Sequence, residues 1–572
     1  MIVEDSSKRL QGRVLLIIVI LTGILLVLAA QLISIQALGG GLVPITPEPP
    51  LASTPSATEE STKPPTYRSR GNILDRSGYL LATDIYQWEV SVSLNLIEDR
   101  EQIAQTLAPL LGLSSDEILN EMAEAEMPQY VPLARGIDEA TGEKIVDMGL
   151  LGVRADPYPR RYYPQGSLAA HVLGFVTLDS RSFYGVEEFY QEFLTGLSVL
   201  RHVEYSDVAL PSYFYPFVPS PVGRDLILTL DARIQYLVER ELQQAVAEYE
   251  AQGGTVIVLD PKTGDVLAMA NEPHFDPNYY NNCDLAWWLN QAIGRIFEPG
   301  SVVKVLTLAA GLDSKAITLD QTFVDKGSLE VGGYTIQNSD RRAHGVVTLT
   351  DILAKSLNVG AAQVSLAMGP DVFYQYLHRF GFGRVTEIDL AREVSGRLKT
   401  PDDPEWSLSD LAANAYGQGV SVTPIQLITA VSAIANDGVA MHPRVVRMMV
   451  DQGKIIPLHP RPYPRAISVE TARAMRSLMA EATARGIDED LVPGYKVAGK
   501  TGTAQIPTRS GYSDEVITSY VAFLPADDPQ AIVLVTLYQP ARATWASEVA
   551  VPVFQRIATK LVRLLEIPPD QP

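Results

Sequence analysis

The 572-residue chain has one cysteine, Cys283, and seven histidines (171, 202, 274, 344, 378, 442 and 459) that form no spaced cluster. A single thiol has no partner for an intrachain disulfide. It also excludes zinc ribbons and iron–sulfur centres, which take several cysteines. Neither G-x-S-x-G nor H-E-x-x-H occurs, so the nucleophile elbow of α/β-hydrolases and the zinc-protease helix are both missing. Basic charge is short as well: 46 Lys and Arg stand against 67 Asp and Glu, a formal charge of −21. Broad binding of DNA or RNA draws its affinity from a basic face, so no nucleic acid partner is expected. With 46% hydrophobic and 20% charged residues, the composition is globular, and the length allows about two to four domains.

Charge is absent altogether between Arg13 and Glu48. Lys8, Arg9 and Arg13 precede an apolar run from Val14 to Ala30, which continues more weakly as far as Leu38. A bilayer core needs about 20 residues of helix, whereas a cleaved signal peptide has an apolar core of about 7–15 residues and a small-x-small site. The run is longer than that, and Ser34-Ile-Gln-Ala37 is a poor cleavage site. Residues 14–38 therefore read as an uncleaved transmembrane helix behind a cytoplasmic tail, 1–13. Positive charge before the helix keeps the N-terminus inside, which places everything after residue 40 outside the cytoplasm. Residues 39–66 read as an extended linker: of the 27 residues from 39 to 65, seven are proline and seven are Ser or Thr.

Residues 67–225 read as a mixed α/β module. A strand is expected at 88–92, where apolar and polar residues alternate, and short amphipathic helices at 100–111, 115–125 and 138–148. Arg160–Pro164 is an aromatic and basic patch that reads as a packed surface strand. Residues 226–566 have another rhythm. A helix at 234–249 precedes a hairpin (255–259 with 266–270), and a second hairpin (520–524 with 531–537) lies far downstream. Helical stretches at 302–312, 349–368, 372–380 and 424–436 lie between them, and a last helix covers 549–565. Helices inserted between hairpins of one antiparallel sheet predict an α+β layered domain, followed by a tail, 567–572.

Three short patterns in this second module carry chemistry. In Ser301-Val-Val-Lys304, Pro299-Gly300 precedes a helix that is apolar nearly all round, so Lys304 is expected in a core. Positions i and i+3 share a helix face, and a desolvated lysine with a lowered pKa can activate a serine. The same pattern also fits an N-cap serine with a snorkelling lysine. Ser356-Leu-Asn358 fits a turn presenting a hydroxyl and an amide to one cavity, or a cap between helices. Lys500-Thr-Gly-Thr503 fits a strand whose glycines admit a ligand backbone and whose edge pairs with an extended peptide, or an ordinary edge strand. Gly494 to Thr501 also satisfies the P-loop pattern. However, an acidic, proline-ended segment precedes it, and Gly502 and Pro507 follow where a helix should begin. Tyr416-Gly-Gln-Gly419 reads as a structural turn.

The order S-x-x-K, S-x-N, K-T-G in one domain is far more specific than any one member. The chain resembles the class B penicillin-binding proteins, membrane-anchored monofunctional peptidoglycan D,D-transpeptidases, from about Tyr67 to Leu565. Arg70-Gly-Asn-Ile-Leu-Asp-Arg-Ser-Gly78, Arg161-Tyr-Tyr-Pro164, His171-Val-Leu-Gly174 and Tyr184-Gly-Val-Glu-Glu188 are similar to motifs of that family's non-catalytic, dimerisation-like pedestal. The strings at 358–363, 368–369 and 380–383 are similar to the division-type branch. Leu357 departs from the serine often found there, and the linker is long. No glycosyltransferase segment precedes the pedestal, unlike the bifunctional class A type.

The resemblance implies a transpeptidase domain at 226–566 and a pedestal at 67–225. It implies Ser301 as nucleophile, Lys304 as base and Ser356 as proton relay helped by the field of Lys500. Asn358 would hold the substrate backbone and orient Lys304, and Thr501 and Thr503, with Gly502 between them, would bind the terminal carboxylate. Backbone amides of Ser301 and Thr503 would form the oxyanion hole. It further implies stem peptides (a D-Ala-D-Ala donor and an amine acceptor) as substrates, β-lactams as covalent inhibitors and no metal or organic cofactor. A membrane glycosyltransferase and other division proteins would be partners, at the septum. A D,D-carboxypeptidase or β-lactamase-like hydrolase, and a non-catalytic β-lactam sensor, use the same residues.

Overall fold

The computed structural model describes residues 70–195, 223–508 and 511–571. The expected cytoplasmic tail, transmembrane helix and linker lie outside the described residues. Among the described residues, no helix is long and apolar enough to cross a membrane.

Five antiparallel strands form the central sheet of the larger half: β1 (Gly253–Leu259), β2 (Val266–Glu272), β3 (Ala498–Thr508), β4 (Gly511–Leu524) and β5 (Ala531–Tyr538). Their order is β3-β4-β5-β1-β2. Continuous apolar runs such as Ala531-Ile-Val-Leu-Val-Thr-Leu-Tyr538 suit strands buried on both faces, and every residue of β5 is buried. Side chains alternate between faces, so one sheet feeds two cores. Ile257, Leu259, Val521, Phe523, Ile532 and Leu534 join one cluster, while Val256, Val258, Tyr520, Ala522, Val533 and Val535 join the other.

Helices cover both faces. We number them α1 (Ala232–Glu248), α2 (Val303–Asp313), α3 (Leu349–Ala354), α4 (Asn358–Met368), α5 (Pro424–Ala435), α6 (Val469–Gly486) and α7 (Ala546–Leu564). Residues of α1 and α7 pack in the second cluster, those of α2 to α6 in the first. The single helical stretch expected at 349–368 is two helices. Ser356 between them has φ 56°, a left-handed conformation that an α-helix does not tolerate.

The smaller half is built on a second sheet. The strand Leu80–Val92 pairs with Val131–Ile137, with Val153–Tyr162 and with Ile73–Leu74. Its helices start where short polar side chains supply caps: Asp99 for Arg100–Leu111, Ser114 with Glu117 as a capping box for Ser115–Glu124, and Asp138 for Glu139–Asp147. The sheet then continues past residue 225. Ile73–Leu74 pairs in parallel with Asp225–Leu228, which pairs in turn with Val446–Asp451. The strand Asp225–Leu228 straddles the position 225/226 where the sequence changes rhythm.

The basic patch at 160–164 closes the strand Val153–Tyr162, but Arg161 points inward. Its Nε donates to Glu187 Oε1 at 2.7 Å and its Nη1 to Asp84 Oδ1 at 3.1 Å. Arg70 Nε donates to Glu187 Oε2 at 2.5 Å. A buried cluster of two guanidiniums and two carboxylates thus ties together three of the motifs quoted above. Burial works against the Glu187 carboxylate, but Arg161 and Arg70 overcome it and hold its pKa below the ordinary value.

Candidate active site

Pro299-Gly300 turns the chain into α2. Gly300 has φ 55° and opens a 3-10 turn, Gly300–Val302, that carries Ser301. The turn is wedged between two glycine-rich segments. Gly300 N–H donates to Gly417 O at 3.2 Å, and a Cβ on Gly417 would lie 2.1 Å from Gly300 O. On the other side, a Cβ on Gly502 would lie 2.6 Å from Ser519 Oγ and 2.8 Å from Pro299 O. Gly417 therefore buttresses the turn, as the structural reading of 416–419 requires, and Gly502 lets β3 close on it. Gly502→Ala should destabilise the protein by about 1–3 kcal/mol through overpacking, read as a lower denaturant midpoint.

Lys304, one helical turn beyond Ser301, is 0% exposed. Its Nζ lies 3.0 Å from Ser301 Oγ and 3.1 Å from Ser356 Oγ, and it donates to the Ser356 carbonyl. The left-handed backbone at Ser356 thus brings both its carbonyl and its hydroxyl to one amine, at a conformational cost of about 1–3 kcal/mol. Lys500 completes the row. Its Nζ lies 3.0 Å from Ser356 Oγ and 3.0 Å from Thr501 O. Four polar atoms from three distant segments form a chain: Ser301 Oγ, Lys304 Nζ, Ser356 Oγ, Lys500 Nζ.

Among the described residues no carboxylate bonds or pairs with either amine. Burial drives the pKa of Lys304 well below its ordinary value, and Lys500 adds to the effect. Burial pushes Lys500 down to about 7. An amine whose charged form burial disfavours, 3.0 Å from a hydroxyl, can take up that hydroxyl's proton.

β3 forms one edge of the sheet. Along it Thr501 and Thr503 are half-buried while Lys500 and Gly502 are buried. Thr503 Oγ1 accepts from Ala546 N at 3.1 Å, which satisfies an unpaired N–H at the start of α7 and leaves the threonine proton for a ligand. The strand runs on through Thr508 without a helix, so residues 494–501 do not form a P-loop.

Among the described residues Asn358 makes no hydrogen bond to Lys304. It opens α4, and its Nδ2 donates to Gln337 O at 2.9 Å, in the strand Tyr334–Gln337. Lys304 is oriented by Ser356 instead. The sequence reading also passed over Glu298. Its Oε1 accepts from Gly419 N at 3.0 Å and its Oε2 from the Tyr512 hydroxyl at 3.1 Å. The only signal was an acid directly before Pro299-Gly300.

The chain matches the family model described as Penicillin binding protein transpeptidase domain over residues 254–559, and that described as Penicillin-binding Protein dimerisation domain over residues 65–204. Stage V sporulation protein D of Bacillus subtilis is 34% identical over 484 residues, 82% of this chain and 74% of that protein. Peptidoglycan D,D-transpeptidase FtsI of Escherichia coli is 30% identical over 514 residues, 88% of this chain and 84% of that protein. Penicillin binding protein 3 of Mycobacterium tuberculosis, solved in complex with aztreonam, superposes with a TM-score of 0.66 at 28% identity, over 88% of this chain and 98% of that one. The serine–lysine–serine–lysine row stands on a chain whose two halves match a dimerisation domain and a transpeptidase domain, and the chain belongs to the class B penicillin-binding proteins, in their division-type branch.

Proposed function

We propose that the chain is a membrane-anchored peptidoglycan D,D-transpeptidase that cross-links stem peptides through an acyl-enzyme on Ser301 and is acylated there by β-lactams. The observation that carries the reading is the buried Lys304 amine, 3.0 Å from Ser301 Oγ and, among the described residues, without a carboxylate partner. Ser301 Oγ attacks the carbonyl carbon of the penultimate D-Ala, and its proton passes to Lys304. Ser356, between the two amines, returns a proton to the departing D-Ala nitrogen as the peptide C–N bond breaks. Thr501 and Thr503 receive the substrate's terminal carboxylate beside Lys500, and Asn358 would hold the peptide backbone. Amides of Ser301 and Thr503 would stabilise the oxyanion, each donor worth about 2.7–4 kcal/mol. An amine from a second strand then displaces Ser301 Oγ and forms the cross-link.

The anchor is residues 14–38, with the N-terminus cytoplasmic and the catalytic half outside. The support is the positive charge before an uncharged apolar run. A septal role is supported by the similarity to the relatives named FtsI and Stage V sporulation protein D. The pedestal and anchor are the surfaces on which a membrane glycosyltransferase and other division proteins would dock.

Incubating the full-length chain in detergent with a fluorescent penicillin should give a stable label, absent in Ser301→Ala. A label that persists in the variant overturns the site, and rapid release of label indicates a hydrolase. A tagged copy should concentrate at the division plane; uniform side-wall signal overturns the septal role.

A further inference from the structure

The proposed reaction needs a second substrate, an amine that arrives as an ammonium. The two active-site lysines carry no negative charge with which to attract it. Glu298 is a different kind of group. It is 7% exposed and is tied to Gly419 N and to the Tyr512 hydroxyl. Among the described residues no cation acts on it, and burial raises its pKa. A buried carboxylate without a cation is costly, yet this one lies three residues from the nucleophile. Tyr512, which covers it, is 44% exposed. It faces Pro507 on β3, on the hairpin that carries Lys500 to Thr503. The phenols of Tyr416 and Tyr334 both act on the Tyr512 phenol, so they share its surroundings, and Tyr334 is 71% exposed. Aromatic faces attract ammonium groups.

We infer that Glu298, together with Tyr512 and Tyr334, recognises the ammonium of the acyl acceptor, selecting the second stem peptide by charge on the Tyr512 side of the nucleophile turn. The inference rests on the transpeptidase reading. The ammonium gives one proton to water, and its nitrogen attacks the ester carbonyl. The second proton reaches Ser301 Oγ through Lys304 as the C–O bond breaks. Glu298 holds the amine and takes no proton.

The test uses the full-length chain with a thioester analogue of the D-Ala-D-Ala donor, offering glycinamide and methanol as competing acceptors to one acyl-enzyme. In Glu298→Gln the ratio of aminolysis to methanolysis should fall at least tenfold. Glutamine can keep a bond to both Gly419 and Tyr512, so a purely positioning role would lower both products together. An unchanged ratio overturns the inference. Should that variant fold poorly, Tyr512→Ala at an exposed site decides: its ratio should fall several-fold, and an unchanged ratio overturns the inference equally. Absence of Ser301 labelling in the unsubstituted protein would instead sink the transpeptidase reading.

Discussion

Lys304→Met should acylate with penicillin about 10²–10⁴-fold more slowly than the unsubstituted chain, the usual contribution of a general base, and should at the same time be more stable. Both effects have one cause. The Lys304 amine is fully buried, and its pKa lies well below the ordinary value because burial, then Lys500, opposes its charge. Between that lowered pKa and the ordinary value of 10.5, the unfolded chain binds a proton that the folded chain lacks. Stability therefore rises with pH across that window, and at neutral pH the native state carries an unrecovered penalty. Methionine fills similar volume without a charge to desolvate. Activity is exchanged against stability at this position. The pH profile follows with the same signs. Acylation should increase as pH rises through the lowered pKa of Lys304, which must be free to accept the proton. It should decrease above about 7, where Lys500 loses its own. The two amines share Ser356, so the limbs belong to the pair rather than to either residue. A stopped-flow acylation profile and a denaturant midpoint measure the two effects. A variant that is slower but less stable would contradict the account of Lys304 as a desolvated amine.

What could be read in the sequence was what local pattern encodes. The hairpin patterns at 255–259 with 266–270 and at 520–524 with 531–537 announced four strands of the central sheet. The i, i+3 spacing of Ser301 and Lys304 announced a shared helix face, and alternation from Ala498 onward announced β3. Amphipathic spacing marked the helices that begin at Arg100, Ser115 and Glu139 to within a residue. The rest is set by contacts between segments far apart. Ser356 breaks a good helical pattern because its carbonyl is drawn to Lys304, 52 residues away in sequence. The amide of Asn358 turns to Gln337, which no motif contains. The parallel pairing of Ile73–Leu74 with Asp225–Leu228 leaves no signature in either strand. Glu298 was invisible because its meaning depends on Tyr512, 214 residues downstream.

The Glu187 carboxylate should be the most costly side chain to remove from the smaller half: Glu187→Ala should lower its stability by about 3–5 kcal/mol, the penalty for leaving a buried charge unpaired. Glu187 is 0% exposed and serves two arginines at once, with Arg70 Nε on one oxygen and Arg161 Nε on the other. Its backbone carbonyl also accepts from Arg70 Nη2 at 2.9 Å, a bond that alanine keeps. After substitution Arg161 would retain only Asp84, and its Nη2 already lacks a partner. The Arg70 guanidinium would keep only neutral acceptors, Gln191 Oε1 and the carbonyl of residue 187, since Asp84 Oδ2 accepts from the Arg70 backbone N–H and not from its side chain. Glu187→Gln, which keeps an acceptor but not the charge, should fall between the two. The pH dependence has the opposite sign to that of Lys304. The folded pKa of Glu187 is lowered, so its stabilisation is present above the ordinary value of 4.5 and is lost as pH falls through the folded pKa. The difference in denaturant midpoint between the unsubstituted chain and Glu187→Ala should therefore shrink on acidification. Because the Leu80–Val92 sheet extends into Asp225–Leu228 and Val446–Asp451, the loss should reach the catalytic half. Labelling of Ser301 by fluorescent penicillin should disappear at a lower temperature in the variant. Equal midpoints at pH 7 would mean that the arginines are neutralised elsewhere, and that the motifs at Arg70, Arg161 and Glu187 are joined by packing rather than by charge.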